Sequence, residues 1–160
     1  MAGSTHDILI MKPTPVDWPR LSAAVYYNNA GAMIDWLVKA FGFRVRIRVD
    51  GEAGGVEHSE LEYGEALIMV SDARSGDKTR FGIATVSPLQ AEGNTQNLML
   101  FVDDVDMHCA IARAAGATIA AAPKDYDYGE EYWTDRSYGA IDPEQHLWWF
   151  TQRIRDQPRP

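Results

Sequence analysis

A strand, a pair of polar residues, one amphipathic helix and a terminating glycine occur twice in this chain, about 75 positions apart, which marks an internal duplication and not a solenoid. In the first copy the strand is Ala23–Tyr27 and Asn28-Asn29 form the N-cap. Met33, Trp36, Leu37, Ala40 and Phe41 then recur at helical spacing until Gly42 stops the helix. In the second copy the strand Asn97–Val102 runs into Asp103-Asp104, the helix turns Val105, Cys109 and Ala112 inward, and Gly116 ends it. Only strand signals follow each helix. The first half reads as Arg44–Val49, Glu57–Tyr63 and Ala66–Ser71, with a tight turn at Tyr63-Gly64-Glu65. The second reads as Ala117–Ala121, a loop rich in Asp, Tyr and Gly from Lys124 to Glu131, then Trp133–Ile141, a turn at Asp142–Gln145, and His146–Gln152. Each half is therefore βαβββ, and the fold class is α+β.

A chain of 160 residues suits one such domain, spanning 21–152. Module one covers about 21–72, a linker or lid about 73–95, and module two about 96–152, each copy being of supersecondary size. Residues 1–20 read as an extended arm, because Pro13, Pro15 and Pro19 break periodicity, and its Trp18 is expected to dock on the body. Residues 153–160 read as a tail. The net charge of −8 argues against nucleic acid and membrane surfaces as partners, since both require a basic face. No apolar run reaches the ~20 residues of a membrane span. No secretory signal is visible, and the single Cys109 fits a reducing compartment, so a cytoplasmic location is expected. Five Trp and seven Tyr are many for this length.

Period-2 alternation sorts the strand residues into two faces. The helix side takes Val45, Ile47, Val49, Leu61, Leu98, Leu100, Val102, Trp148 and Phe150. The other face keeps Tyr26, Met69, Asn97, Met99, Phe101 and Trp149. A face that stays apolar and aromatic without touching a helix lines a cavity or an interface. These six residues, with Trp133 and Tyr138 beside the acidic loop, are the candidate ligand-binding set. An aromatic ligand burying ~150–250 Å² there would gain roughly 4–6 kcal/mol before ordering costs.

His58, Glu60 and Glu62 share a face with Arg44, Arg46 and Arg48 of the neighbouring strand. As a cross-strand ion ladder, each pair contributes at most ~1 kcal/mol. As a catalytic set, His58 or Glu60 serves as general base, imidazole being the side chain that titrates nearest neutral pH. Arg136 is a third candidate, either orienting a ligand carbonyl or pairing with a loop carboxylate. His6, His108 and His146 sit in unrelated elements, Cys109 reads as core, and Asp142-Pro143 reads as a turn.

The stretches AMIDWLVKAFGFRVRI, EHSELEYGEALIMVSD, NLMLFVDDVDMHCAIARAAGA and DRSYGAIDPEQHLWWF resemble the vicinal oxygen chelate superfamily of glyoxalases, bleomycin resistance proteins and extradiol dioxygenases. The MKPTP arm, the HSEL strand and the WWF ending are similar to those of an uncharacterised bacterial glyoxalase-like subgroup. The resemblance runs from about Lys12 to Arg155, and its motifs speak for fold more than for reaction. It implies two modules curled into an incompletely closed barrel around a cavity, and a homodimer. Members that use a metal carry ligands on the first and last strand of each module. Those positions fall here on Ser22, Met69, Asn97 and Trp149, none a good ligand for a divalent ion, so no metal and no other cofactor is expected. The resemblance thus implies a protein that binds or sequesters a small aromatic or amphipathic molecule. The alternative is a metal-independent glyoxalase-like lyase or isomerase using His58, Glu60 and Arg136. Classical glyoxalase I or dioxygenase chemistry is not expected.

Overall fold

The structure is a computed structural model describing residues 12–157; His6 lies outside the described residues. Module one consists of β1 (Ala23–Tyr27), α1 (Ala30–Phe41), β2 (Arg44–Asp50), β3 (Val56–Tyr63) and β4 (Ala66–Asp72). The connection holds a short helix, α2 (Pro88–Ala91). Module two then repeats the order with β5 (Leu98–Phe101), α3 (Val105–Ala114), β6 (Thr118–Asp127), β7 (Thr134–Ile141) and β8 (Leu147–Arg155). The two sheets have the same topology, β1-β4-β3-β2 and β5-β8-β7-β6. In each, the first strand runs parallel to the last and the other pairs are antiparallel. The fold is α+β, and the sheets do not close into a barrel.

The helix boundaries follow the capping residues. Asn29 accepts a bond from the Ala32 amide at 3.1 Å, and Asp104 accepts one from the Met107 amide at 2.9 Å. Gly42 ends α1 in the left-handed region with φ 78°. The two helices pack on each other and on the inner faces of both sheets, giving one hydrophobic core that spans the modules. Phe41 lies at its centre, with ring centroids of Trp36, Trp148 and Phe150 at 4.8, 5.4 and 4.7 Å. The Trp36 indole also donates to the Ala115 carbonyl of the other module at 2.8 Å.

A second joint is polar and buried. The Asp142 carboxylate accepts from Tyr27 Oη at 2.7 Å, from Trp148 Nε1 at 3.1 Å, and from the Glu144 and His146 amides at 3.0 Å. Burial, reinforced by that carboxylate, pushes the Tyr27 phenol well above its usual range. Glu144 accepts from the Asn28 and Asn29 amides at 2.7 and 3.0 Å, at the entry to α1. The Asp142–Gln145 segment is a turn, as its sequence indicates, and it also fastens module two to module one.

Three expectations need correction. A β-bulge between Val45 and Ile47 adds an unpaired residue to β2 and reverses the alternation beyond it. Ile47 and Val49 therefore stand opposite Glu60 and His58 on the open face, while Arg48 stands opposite Ser59 on the helix side. The helix-side reading therefore fails for Ile47 and Val49, which are 42% and 47% exposed, whereas Val45, ahead of the bulge, keeps its place opposite Leu61 on the helix side at the sheet's edge. Strand β6 continues through Lys124 to Asp127, taking in half of the acidic loop. Strand β8 runs on to Arg155, past Gln152, into the residues read as tail.

Candidate functional site

The open face of module two forms a hollow of about 360 Å³ lined by Asn97, Met99, Tyr126, Tyr128, Asp135, Ser137, Trp149 and Thr151. Strand register builds it. Trp149 on β8 lies between Met99 of β5 and Gly139 of β7, and Thr151 lies between Phe101 and Ser137. A Cβ placed on Gly139 would sit 3.4 Å from Trp149 Cη2 and 3.5 Å from the Ala121 Cβ, so the indole rests across a strand without a side chain. Side chains larger than alanine at positions 139 and 121 would push it outward. The floor beyond the indole is polar: the Ser137 and Thr151 hydroxyls bond at 2.9 Å. Met99 and Phe101 remain 54% and 50% exposed, a large apolar area for neighbouring positions.

One end of the hollow is ionic. Arg153 Nε donates to Asp135 Oδ1 at 2.5 Å, and its guanidinium lies 5.5 Å from the Phe101 ring centroid and 5.1 Å from that of Trp133. The sequence reading missed Arg153 and Ser137, and it placed Asp135 beside this pocket without giving it a role. Register is the missing signal, since only the β7–β8 pairing shows that the odd-numbered residues of β7 join Trp149 on the open face.

The same register corrects two candidates. Tyr138 pairs with Phe150 and is fully buried on the helix side, so it is not part of the hollow. Its hydroxyl donates to His108 Nδ1 at 2.7 Å while His108 Nε2 donates to the Phe41 carbonyl at 3.1 Å. Burial raises the Tyr138 phenol and lowers the His108 imidazole, consistent with both being neutral. Arg136 also faces away from the hollow. It grips Asp106 of α3 through two bonds of 2.8 and 2.9 Å and Asp125 through one of 2.7 Å, which hold its guanidinium charged. The loop-pairing alternative describes it, and it has no access to a ligand on the open face.

Tyr26, Met69, His58 and Glu60 lie on the open face of module one. Met69 pairs with Ala24 and Glu60, and Tyr26 pairs with Ser71. Glu60 is buried, with His58 Nε2 at 3.3 Å from one oxygen and Arg46 Nε at 3.5 Å from the other. Arg44 pairs with Glu62 at the edge. The predicted site residues are thus divided between two sheets: an aromatic group around Trp149 and a charged group around Glu60. A larger hollow of about 820 Å³ sits at the module-one edge, bounded by residues 14–19, Arg44, Arg46 and Glu62. Its walls are ionic and arm-derived, and they lack the stacked aromatic surface of module two.

Metal ligation finds no support in the donor set. Ser22, Met69, Asn97 and Trp149 present a hydroxyl, a thioether, an amide and an indole, poor donors for the divalent ions that imidazole and carboxylate hold. Among the described residues, no group of three or more His, Cys, Asp or Glu side chains is placed to hold a metal ion. Nor, among them, is any helix long and apolar enough to cross a membrane.

The architecture is thus a pair of βαβββ modules, each presenting an open sheet face opposite its helix. The chain belongs to the Glyoxalase/Bleomycin resistance protein/Dioxygenase superfamily, whose profile matches residues 21–150. It is 32% identical over 140 residues to an uncharacterised protein of Mycobacterium bovis, covering 86% of each chain. A Mycobacterium tuberculosis protein is 32% identical over the same length, covering 86% of this chain and 76% of that one. Among solved structures, it is similar to TioX from Micromonospora sp. ML1, with 30% identity, a TM-score of 0.62, and coverage of 84% of this chain and 95% of that one. A Burkholderia phytofirmans member of the superfamily, at 18% identity and TM-score 0.56, shares the fold over 83% of this chain and 97% of its own.

Proposed function

We propose that this protein binds, and thereby sequesters, a small planar aromatic or amphipathic molecule on the open face of module two. The supporting observation is Trp149, an indole laid across Gly139 with half-exposed Met99 and Phe101 beside it and polar Ser137, Thr151 and Asp135 within reach. The planar part stacks on Trp149. A polar substituent meets the hydroxyls or the Asp135–Arg153 pair, and Asn97 and Trp133 flank the site. Sequestration asks only for an aromatic wall, a few polar groups and partial burial. The superfamily includes bleomycin resistance proteins, and a binding role without chemistry fits that membership.

A second copy of the chain is the expected partner. Leu21 at 88%, Phe81 at 97% and Ile83 at 68% exposure are apolar surfaces of the kind that association covers. Sedimentation velocity at micromolar concentration gives a dimer on this reading, and a monomer refutes it.

Fluorescence titration against a panel of planar aromatic compounds tests the main reading. Binders quench tryptophan emission, and Trp149→Phe weakens them; undiminished affinity in that variant contradicts the assignment. Protein purified without added metal and back-titrated with Zn²⁺ or Ni²⁺ takes up no tightly held ion. One tightly bound ion per chain would reverse the ligand argument.

One observation favours a second reading, acid–base catalysis by a lyase or isomerase: the 3.3 Å approach of His58 Nε2 to Glu60 Oε1. Arg136, tied to Asp106 and Asp125, takes no part in it. Should a compound from the panel be turned over, His58→Ala abolishes the reaction on this reading, and a retained rate discards it.

A further inference from the structure

Glu60 is buried although it stands on the face of module one that no helix covers; its side chain is 7% exposed. The bulge in β2 is responsible. By adding a residue between Val45 and Ile47 it re-aims Arg46 across the open face, toward Glu60 Oε2 at 3.5 Å. Arg46 then holds the segment 14–19. Its Nη1 donates to the Asp17 carbonyl at 2.6 Å, and its guanidinium lies 5.5 Å from the centroid of the Trp18 ring. Glu60, Arg46 and Trp18 thus form a stack from sheet to surface.

The segment is shaped for this position and lightly attached. Pro13, Pro15 and Pro19 keep it extended, and a turn closed by the Trp18 amide on the Pro15 carbonyl at 3.2 Å presents the indole. Among the described residues, the Arg46–Asp17 bond is the one hydrogen bond joining residues 14–19 to the sheet. The hollow of about 820 Å³ beside Arg44, Arg46, Glu62 and Leu67 lies between that segment and β2–β3.

Beneath the stack an acceptor is left over. Glu60 Oε2 is shielded from water and has no hydrogen-bond partner, Arg46 standing only at ion-pair distance. A buried acceptor without a donor is a standing cost that a ligand's donor can relieve. Ile47 and Met69, the cross-strand neighbours of Glu60, supply apolar walls on either side.

We infer that residues 14–19 are a movable strap over a second binding subsite, in which Glu60 takes the hydrogen-bond-donating head group of a small amphipathic molecule between Ile47 and Met69. An amine or a hydroxyl satisfies this chemistry. A carboxylate does not, because Asp17, Glu62 and Glu65 line the hollow under the strap, and Glu60, behind Arg46, is itself a carboxylate. Opening requires Trp18 to leave Arg46, so the closed strap lowers apparent affinity by the fraction of time it covers the site. The subsite needs neither Trp149 nor turnover, and it stands or falls apart from the two readings above.

Three probes with one aromatic body and different heads test it by calorimetry on the full chain: tryptamine, tryptophol and indole-3-acetate. Each titration is repeated in Trp149→Ala, so that stacking in module two does not mask the result. Trp18→Ala should tighten tryptamine and tryptophol about tenfold and leave indole-3-acetate within about twofold. Adding Glu60→Met removes the acceptor and cancels the gain. Should that variant not fold, Glu60→Gln keeps an acceptor without charge, retaining the gain for tryptophol and losing it for tryptamine. An equal gain for all three probes, no gain for any, or no binding at all overturns the proposal.

Discussion

Module one and module two share a topology and diverge on the face that topology leaves open. In module one that face carries Arg44, Arg46, His58, Glu60 and Glu62, and the chain's own Trp18 lies over part of it. In module two it carries Met99, Phe101, Trp149 and Tyr126, and it is open to solvent around Met99 and Phe101. The helix sides, by contrast, merge into a single core. The two modules thus agree on the surface that both bury and differ on the one that neither needs for folding. One half is ionic and partly self-covered, the other aromatic and solvent-exposed, so a ligand-binding role is to be sought first in module two.

The comparison breaks most severely at the joint. Asp142→Ala leaves Tyr27 Oη, Trp148 Nε1 and two amides without their shared acceptor, and should cost about 3–5 kcal/mol in a denaturant melt. A loss below about 1 kcal/mol would show that the modules are held by apolar packing alone. Next comes the aromatic face. Trp149→Ala should weaken a module-two ligand by tenfold or more, whereas Met69→Ala on the other sheet leaves it within about twofold. Equal losses would mean that one ligand spans both faces.

A subtler effect is a pH slope from His108, which links α3 to the end of α1. Burial lowers its folded pKa, so the unfolded chain binds a proton first as pH falls below about 6.5. Its contribution to stability is complete above that pH and drains away as pH drops toward the depressed folded value. Chemical melts between pH 7 and 5 should show this decline, and His108→Gln should flatten it; an unchanged slope assigns the decline to other groups. The smallest effect is expected at Gly139→Ala. The glycine has no positive φ, and the added methyl meets Trp149 at an ordinary 3.4 Å. Stability should stay level or rise by under about 1 kcal/mol, with ligand affinity kept. A substantial loss of either would show that Trp149 lies closer to the sheet than this contact allows.

Much of the fold was legible because helix caps and spacing are local. Asn29, Gly42 and Asp104 bound their helices as the sequence indicates. Membership in the superfamily was legible for a related reason, since the helix-to-strand stretches carry their own pattern. Faces were harder. The bulge beside Arg46 is a two-against-one pairing that alternation does not contain, and it exchanged the roles of Ile47, Arg48 and Val49. Tyr138 and Arg136 were placed together correctly but on the wrong side, because the β7–β8 register is set by the Asp142–Gln145 turn. Asp142 and Glu144 illustrate the same limit: their partners Tyr27 and Asn28 lie more than a hundred residues away.

The most direct test of the central claim is fluorine NMR of protein labelled with 5-fluorotryptophan, its five resonances assigned by single Trp→Phe variants and followed during titration with a planar aromatic binder from the fluorescence panel. The account predicts that Trp149 shifts most and Trp133 follows, while Trp148, buried in the core, and half-buried Trp36, packed against it, stay in place. A binder without an amine or hydroxyl head group that moves Trp18 and leaves Trp149 unchanged would contradict it, placing the ligand on module one.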